Sequence, residues 1–149
     1  MKKEIAKYIE LIIRIGINIQ KGQILVVSAP VETFEFTRKV VEIAYKFGAK
    51  EVVINWVDEV CGKYRYIYWA EEIFDIYPKH QADMMKDYAE KGAAFLSIYA
   101  TDPEILKDVD QERVARAQKA RSIALKDYYA KVMNNENQWC VVSIPTDAW

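Results

Sequence analysis

Histidine, cysteine and clustered glycine are all scarce in this sequence, and their scarcity excludes several kinds of active site. The 149 residues include one histidine, His80, and two cysteines. A conventional zinc site needs several converging ligands, yet neither HExxH nor CxxC occurs. We therefore interpret His80 as a surface residue at the start of a helix, and the sequence predicts no metal site in this chain.

Phosphate-binding loops and nucleophile elbows are also missing. The five glycines are isolated, and neither GxGxxG nor GxxxxGK[ST] can be formed from them. Ser28 follows an apolar run, but no GxSxG surrounds it. Four carboxylates are candidates for an acid–base pair, but they fit solvated helix faces; they are Glu71, Glu72, Asp83 and Glu90. These residues give no sign of an acid–base pair.

An excess of charge of one sign and long apolar runs are absent as well. The chain has 21 basic and 22 acidic residues, which gives a formal net charge of -1. Nucleic-acid-binding proteins usually show a basic excess on one face, so we expect no nucleic-acid partner. No stretch approaches the roughly 20 apolar residues of a membrane span, so we expect no membrane partner. Glu4, Glu10 and Arg14 interrupt the N-terminal apolar region, which argues against a signal peptide.

The two cysteines, Cys61 and Cys140, are fewer than a secreted disulfide scaffold carries, and they form no close pair. We expect both to be reduced, buried thiols in a cytoplasmic protein.

Apolar runs of strand length alternate with segments of helical periodicity. Strands are predicted over residues 24–28, 51–56, 93–99 and 139–144. Helices are predicted over 3–15, from Pro30 to Gly48, and over 62–77, 80–91 and 111–131, the last interrupted or continuous; Asp102-Pro103 is a further start signal. The alternation implies right-handed crossovers. We predict a single α/β domain over 1–149: a doubly wound, mainly parallel sheet of about four strands with helices on both faces.

An aromatic stretch, YRYIYWAEEIFDIY, covers residues 64–77. It fits a stacking platform for bases, or a helix packed against a sheet or a partner subunit. The balanced charge favours packing. The candidate interface residues within it are Tyr64, Tyr66, Tyr68 and Trp69.

Polar residues follow the predicted strands, where ligands of open parallel sheets bind. The segments concerned are Ala29–Glu32, Asp58-Glu59, Ala100–Asp102 and Pro145-Thr146. Helix capping explains many of these residues equally well, so both interpretations stay open.

Several stretches, taken in order, resemble one family. They are LIIRIGINIQKGQILVVSAPVE, EVVINWVDE, GAAFLSIYATDPEILKDVD, ARAQKA, MNN and PTDAW. Together they span essentially the whole chain and are similar to the N-terminal domain of the M29 metallo-aminopeptidases, of the thermophilic aminopeptidase T/S type. The resemblance implies a longer enzyme in which this domain precedes a catalytic domain.

The resemblance also implies an activity: release of N-terminal amino acids from peptides by an enzyme that uses divalent ions such as cobalt or zinc and forms dimers. Its Glu, His and Asp ligands would lie in the catalytic domain. We expect that domain to be absent here, because the chain ends at or near the domain junction. The isolated chain is then expected to be inactive and to expose an apolar docking surface.

In such an enzyme this domain would wall the active-site cleft and support the dimer. The candidate cleft residues are Asn134, Asn135, Trp139, Pro145 and Thr146, with Glu32 and Asp58 as further candidates. For the MNN stretch the alternative is a simple turn, since Asn tolerates unusual backbone angles. Two other functions stay open: a stand-alone binding or interaction module that dimerises through the aromatic helix, and a flavodoxin-like nucleotide binder.

Overall fold

A four-stranded parallel sheet forms the centre of the molecule. The computed structural model describes residues 2–145, with the backbone alone for Lys2 and Lys3. The strands are β1 (Ile24–Pro30), β2 (Glu51–Val57), β3 (Ala94–Tyr99) and β4 (Trp139–Ser143). They are all parallel, in the order β2-β1-β3-β4. This confirms the predicted α/β sheet.

Helices connect the strands in the described part of the chain. The first two are α1 (Lys2–Leu11), which continues as a π-helical turn (Ile12–Gly16), and α2 (Phe34–Lys46), which follows a 3-10 turn (Val31–Thr33). After β2 come α3 (Glu59–Tyr68), a second 3-10 turn (Glu71–Asp75) and α4 (Lys79–Glu90). After β3 come α5 (Gln111–Ala124) and α6 (Lys126–Met133).

One face of the sheet is covered by α1, the π-turn and α2. Alternate strand residues, such as Leu25, Val27 and Leu96, point to this face, as the two-residue period of a strand requires. They pack against Ile13 of the π-turn and Val40 of α2, and all five side chains are buried. Each such side chain contributes roughly 1.5–3 kcal/mol when it leaves water.

The opposite face is covered by α4 and α6. Val26 and Phe95 point to this face and pack with Ala89 of α4 and Val132 of α6. The ring of Tyr128 meets Phe95 edge-on, with 5.0 Å between the ring centroids. Both faces therefore carry helices, as the doubly wound prediction requires.

Two predicted helix starts at proline are wrong. Pro30 is the last residue of β1, in register with Val57, and α2 begins only at Phe34. A proline is tolerated at this end of a strand, where the ladder no longer needs its missing N–H. Asp102-Pro103 begins a run of turns instead of a helix, and the Asp102 carboxylate accepts a hydrogen bond from the N–H of Glu104 at 2.9 Å.

The predicted helix over 62–77 is shorter and begins earlier than expected. Asp58 caps the N-terminus of α3 by accepting a hydrogen bond from the N–H of Cys61 at 2.9 Å. The helix ends at Tyr68, because Trp69 adopts an extended conformation (φ -64°, ψ 145°). The helix predicted over 111–131 is interrupted at Leu125, a buried residue outside helical geometry (φ -94°, ψ 12°).

The histidine and the two cysteines lie at or near the surface of the described chain. His80 is exposed near the start of α4, as expected. Cys61, expected to be buried, is exposed, because α3 lies at the surface and none of its residues in the described chain is fully buried. Cys140 is half-buried, and both thiols are free. Among the described residues, no helix is long and apolar enough to cross a membrane.

Candidate functional site

The carboxyl end of the sheet contains the point where a doubly wound fold usually binds its ligand. That point lies between β1 and β3, since the chain moves from β1 to one side and then crosses to the other. The carboxylate of Glu59, after β2, accepts a hydrogen bond from the N–H of Asp102, after β3, at 3.1 Å. Because β1 lies between these two strands, the bond joins segments that follow the strands on either side of it.

Two predicted cleft residues, Asp58 and Glu32, also lie at the carboxyl end. Asp58 is exposed, and its bond from the N–H of Cys61 holds the pKa of this carboxyl below its ordinary value. Glu32 is an exposed residue of the 3-10 turn after β1. The next residue, Thr33, is buried and donates its hydroxyl to the carbonyl of Pro30 at 2.8 Å. Capping and turn closure thus account for Asp58 and Thr33 without a ligand.

The structure says little about the two predicted cleft residues after β4, Pro145 and Thr146. Pro145 follows β4 and is exposed. Thr146 lies outside the described residues.

A groove at the opposite, amino end of the sheet contains other predicted cleft residues. It has a volume of about 360 Å³ and opens between the end of the π-turn and the segment before β4. Its lining residues are Gly16, Ile17, Asn18, Asn135, Asn137, Gln138 and Trp139. Asn134, the C-cap of α6, is the neighbour of this lining in sequence. We call this the amino-end groove.

The structure therefore divides the candidate residues between two ends of one sheet. Strands of five to seven residues, at about 3.3 Å per residue, separate these ends by about 17–23 Å. Asn135 and Trp139 come together, but neither lies near Glu32 or Asp58. One small ligand does not reach both groups.

A network of amide side chains forms the floor of the amino-end groove. Asn137 is 4% exposed, and its Nδ2 donates to the carbonyls of Ala89 and Ala93 at 3.0 and 2.9 Å. Its Oδ1 is buried and has no partner among the described residues. Gln138 accepts from Gln23 Nε2 at 2.6 Å and donates to a backbone carbonyl, that of Asn18, at 3.1 Å. The network ties together the segments before β1, β3 and β4.

Backbone geometry supports the turn interpretation of the MNN stretch. Asn135 has a positive φ of 56°, and its N–H donates to the carbonyl of Val132 at 3.1 Å. Asn18 has a positive φ of 51°. Asparagine is one of the few non-glycine residues that tolerates this conformation. The same two side chains are exposed at the rim of the groove, so the turn role and a contact role are compatible.

Sequence reasoning missed Asn18, Asn137 and Gln138. Asn137 is one of three asparagines within NNEN, and its composition and spacing do not distinguish it from Asn134. Only the packing of α4 against the segment before β4 makes one of them buried and the other exposed. Asn18 stands before an apolar residue and gives no turn signal of its own.

The aromatic stretch is divided between a buried cluster and an exposed helix face. Phe74 is fully buried, with Tyr66 stacked at 6.5 Å and Trp69 at 5.8 Å between ring centroids. Tyr64 and Tyr68 form an exposed pair on α3, 52% and 78% exposed. Two of the four candidate interface residues are therefore packing residues, and dimerisation through the other two stays a prediction.

Arginines of α5 close the cluster from the other side. The guanidinium groups of Arg113 and Arg116 lie 5.4 and 5.7 Å from the centre of the Phe74 ring. Both form ion pairs with Glu71, and Arg116 also binds Asp75 through two hydrogen bonds, of 3.1 and 2.6 Å. Glu71, predicted on a solvated helix face, thus belongs to a 3-10 turn and an ion-pair network. We use the name Phe74 cluster for five residues: Phe74, Glu71, Asp75, Arg113 and Arg116.

A shallow groove between α1 and α2, about 270 Å³ in volume, alternates charges of both signs. Its charged residues are Glu10, Lys39, Glu42 and Lys46, two of each sign, and Glu42 pairs with Lys46, so the groove has no excess of charge of one sign.

Comparison with known proteins agrees with this fold. The model of the thermophilic metalloprotease (M29) family matches residues 1–149. Aminopeptidase 2 of Geobacillus stearothermophilus is 45% identical over 148 residues, which are 99% of this chain and 36% of that protein. Aminopeptidase T of Thermus thermophilus is 32% identical over 148 residues, again 36% of its length.

A solved structure gives the same result. Wild-type AmpT from Thermus thermophilus superposes with a TM-score of 0.93 at 32% identity, over 99% of this chain and 37% of that chain. The fold thus defines the class, a doubly wound α/β domain. The chain belongs to the M29 family, and it spans about a third of the length of the curated relatives that it matches.

The metal of this family does not fit the residues described here. Within residues 2–145, no three His, Cys, Asp or Glu side chains come together in a group that would hold a metal ion. The chemistry of the donor set therefore gives no place for a metal centre in this part of the fold.

Proposed function

We propose that this chain serves as the N-terminal, non-catalytic part of a metal-dependent aminopeptidase that releases N-terminal amino acids from peptides. The match to the M29 family over the whole chain, at one third of the length of its relatives, carries the proposal. The domain walls the active-site cleft, and the metal ions, cobalt or zinc, are held by the C-terminal part. The cytoplasmic location and the homodimer stay predictions.

The amino-end groove supports a contact with peptide better than the carboxyl end does. The side chains of Asn18 and Asn135 make no hydrogen bond to other described residues, so their amides are available as donors and acceptors. Trp139 is 43% exposed beside them. The groove lining contains no ionisable side chain, and the backbone of a peptide is likewise neutral and needs both kinds of hydrogen bond. At the carboxyl end, Asp58 and Glu59 already have partners.

Two proteins test the proposal: the isolated chain, and a chimaera in which residues 1–149 replace the matched part of Aminopeptidase 2. With cobalt or zinc present, the chimaera is expected to release the N-terminal residue of a short peptide, and a chelator abolishes that release. The isolated chain is expected to release none. Chelator-sensitive turnover by the purified isolated chain contradicts the non-catalytic role.

A matched pair of tryptophan variants in the chimaera locates the cleft. Trp139 and Trp56 are equally exposed, at 43% and 45%, but lie at opposite ends of the sheet. Trp139→Ala is expected to raise KM for a peptide several-fold, and Trp56→Ala to leave it unchanged. The reverse pattern places the cleft at the carboxyl end and removes the amino-end groove from the proposal.

A stand-alone interaction module is the alternative, and one observation favours it. Along one side of α3 the exposed side chains at helical spacing are apolar: Val60, Tyr64, Ile67 and Tyr68, between 41% and 78% exposed. A chimaera that is inactive although folded, together with a native gene that encodes no further domain, favours this alternative.

A further inference from the structure

One face of β4 lacks the cover that parallel sheets normally have. The register places Trp139 beside Phe95, Val141 beside Ser97 and Ser143 beside Tyr99, all on the face that α4 and α6 cover. Yet Tyr99, Trp139 and Val141 are 55%, 43% and 58% exposed. Parallel sheets occur almost only with both faces covered, so this bare strand face is a departure that needs an explanation.

The same edge of the sheet is apolar on the other face. There α1 runs along β4: Tyr8 donates its hydroxyl to the carbonyl of Ser143 at 3.1 Å, and Gly16 lies against Cys140, where a Cβ would come within 3.0 Å of Sγ. Leu11 and Ile15, on the same side of the helix as Tyr8, are 56% and 68% exposed. The opposite side of α1 meets α2 across the charged groove. Leu11 and Ile15 therefore face outward past β4.

The backbone edge of β4 lies between these two apolar surfaces. In the described chain β4 pairs with β3 alone. An exposed strand edge is a template for another strand. A strand added beside β4 would place alternate side chains against Leu11 and Ile15 on one face and against Val141 on the other. We call these three residues, with Tyr99, the β4 surface; Trp139, at the start of β4, stays with the amino-end groove.

We propose that the β4 surface docks an extended, apolar segment of the C-terminal part of the aminopeptidase, which adds a fifth strand to the sheet. The inference rests on the proposed function and adds the place and the manner of docking. Two observations select this occupant. The relatives continue for about two thirds of their length outside the matched region, and the described chain continues to Pro145 past the end of β4, which is itself the open edge strand. The β4 surface itself carries no charged side chain, which matches an apolar segment.

Amide hydrogen exchange of the isolated chain and of the chimaera with Aminopeptidase 2 tests the proposal. The β4 amides that do not bond to β3 are expected to exchange at least tenfold more slowly in the chimaera. The amides of β2, the other edge strand, serve as the control and should not change. Equal exchange of the β4 amides in both proteins overturns the proposal. Protection that rises with concentration in the isolated chain, with a dimer in sedimentation, assigns the surface to a second copy and also overturns it.

Charged substitutions give an independent readout. Ile15→Glu and Val141→Glu are expected to remove the protection of β4 in the chimaera, while the circular dichroism and Tm of the isolated chain stay unchanged. Ile123→Glu is the matched control, since Ile123 is 66% exposed on α5, a helix that contributes no residue to the β4 surface. A loss of protection with Ile123→Glu as well shows a general effect and contradicts docking at this surface.

The two proposals fail separately in these experiments. A chimaera with protected β4 amides but no peptidase activity removes the proposed function and keeps the docking surface. An active chimaera with unprotected β4 amides removes the docking surface alone.

Discussion

The two ends of the sheet are held together by different chemistry. At the amino end, neutral amides join the segments before β1, β3 and β4, and the central one, Asn137, is almost fully buried. Beyond the carboxyl ends, charged groups join the segments: Glu59 of α3 bonds to the N–H of Asp102 after β3, and the ion pairs of the Phe74 cluster join the second 3-10 turn to α5. The carboxylates of Glu71 and Asp75 are 58% and 62% exposed.

This difference predicts at which end of the sheet the pH and the salt concentration affect stability. A buried neutral amide has the same hydrogen bonds at any pH, and leaving its partners unsatisfied is costly. Exposed ion pairs contribute little each and are screened by salt. We therefore expect the stability of the amino end to depend on packing and hydrogen bonds. At the carboxyl side we expect it to depend on the buried ring of Phe74 and, to a smaller extent, on ion pairs that respond to pH.

The largest expected effect comes from the ring of the Phe74 cluster. Phe74→Ala removes a fully buried side chain from beneath two arginines, so the free energy of unfolding is expected to fall by about 3–5 kcal/mol. Phe34→Ala is the control, because Phe34 also lies under an arginine, Arg38 at 5.0 Å, but is 43% exposed. Urea denaturation measures both. A similar small loss for the two variants means that the charged groups, not the ring, hold this region.

A smaller effect is expected at the amino end. Asn137→Ala removes the side-chain hydrogen bonds to the carbonyls of Ala89 and Ala93, of which Ala89 keeps the N–H of Gly92, and is expected to cost about 2 kcal/mol. Asn134→Ala, three residues earlier and exposed, should change stability by less than about 0.5 kcal/mol. If urea denaturation gives equal values for the two variants, the amide network does not hold the amino end.

The smallest effect is the pH dependence that Asp75 of the Phe74 cluster contributes. Hydrogen bonds from Arg116 lower the pKa of Asp75 in the folded protein. The unfolded chain then binds the proton more readily, so this contribution is complete above the ordinary pKa of about 4 and is lost as the pH falls through the lower, folded value. The Tm difference between wild type and Asp75→Asn should therefore shrink below about pH 4. The difference for Asn137→Ala should stay constant, and a parallel decline contradicts the comparison.

The fold could be predicted from the sequence because its signals are local and repeated. The strand runs, the glycines after helices and the alternation of elements all give the same α/β arrangement. The wrong predictions concern residues whose type is compatible with two different local structures. Pro30 suits a first helical turn and the end of a strand, and only the register with Val57 decides. Asp102 resembles an N-cap, but turns follow it; the N-cap of α5 is Asp110, whose carboxylate accepts a hydrogen bond from the N–H of Glu112.

The candidate site could be predicted less well, because it depends on which end of the sheet a residue reaches. Asn135 and Trp139 stand close to Pro145 in sequence, yet a whole strand separates them in space. The buried role of Asn137 depends on α4, almost fifty positions earlier in the chain. Likewise, Cys61 was expected to be buried from its residue type, although its place on a surface helix exposes it.

The strand order also has a consequence for synthesis on the ribosome. The central strand, β1, pairs with both β2 and β3, but residues 31–93 separate it from β3. At about 5–20 residues per second, that segment takes roughly 3–13 seconds to translate. During this interval one whole side of β1 has no strand to pair with. Until β3 has been made, that side of β1 is an exposed strand edge that can pair with the wrong strand.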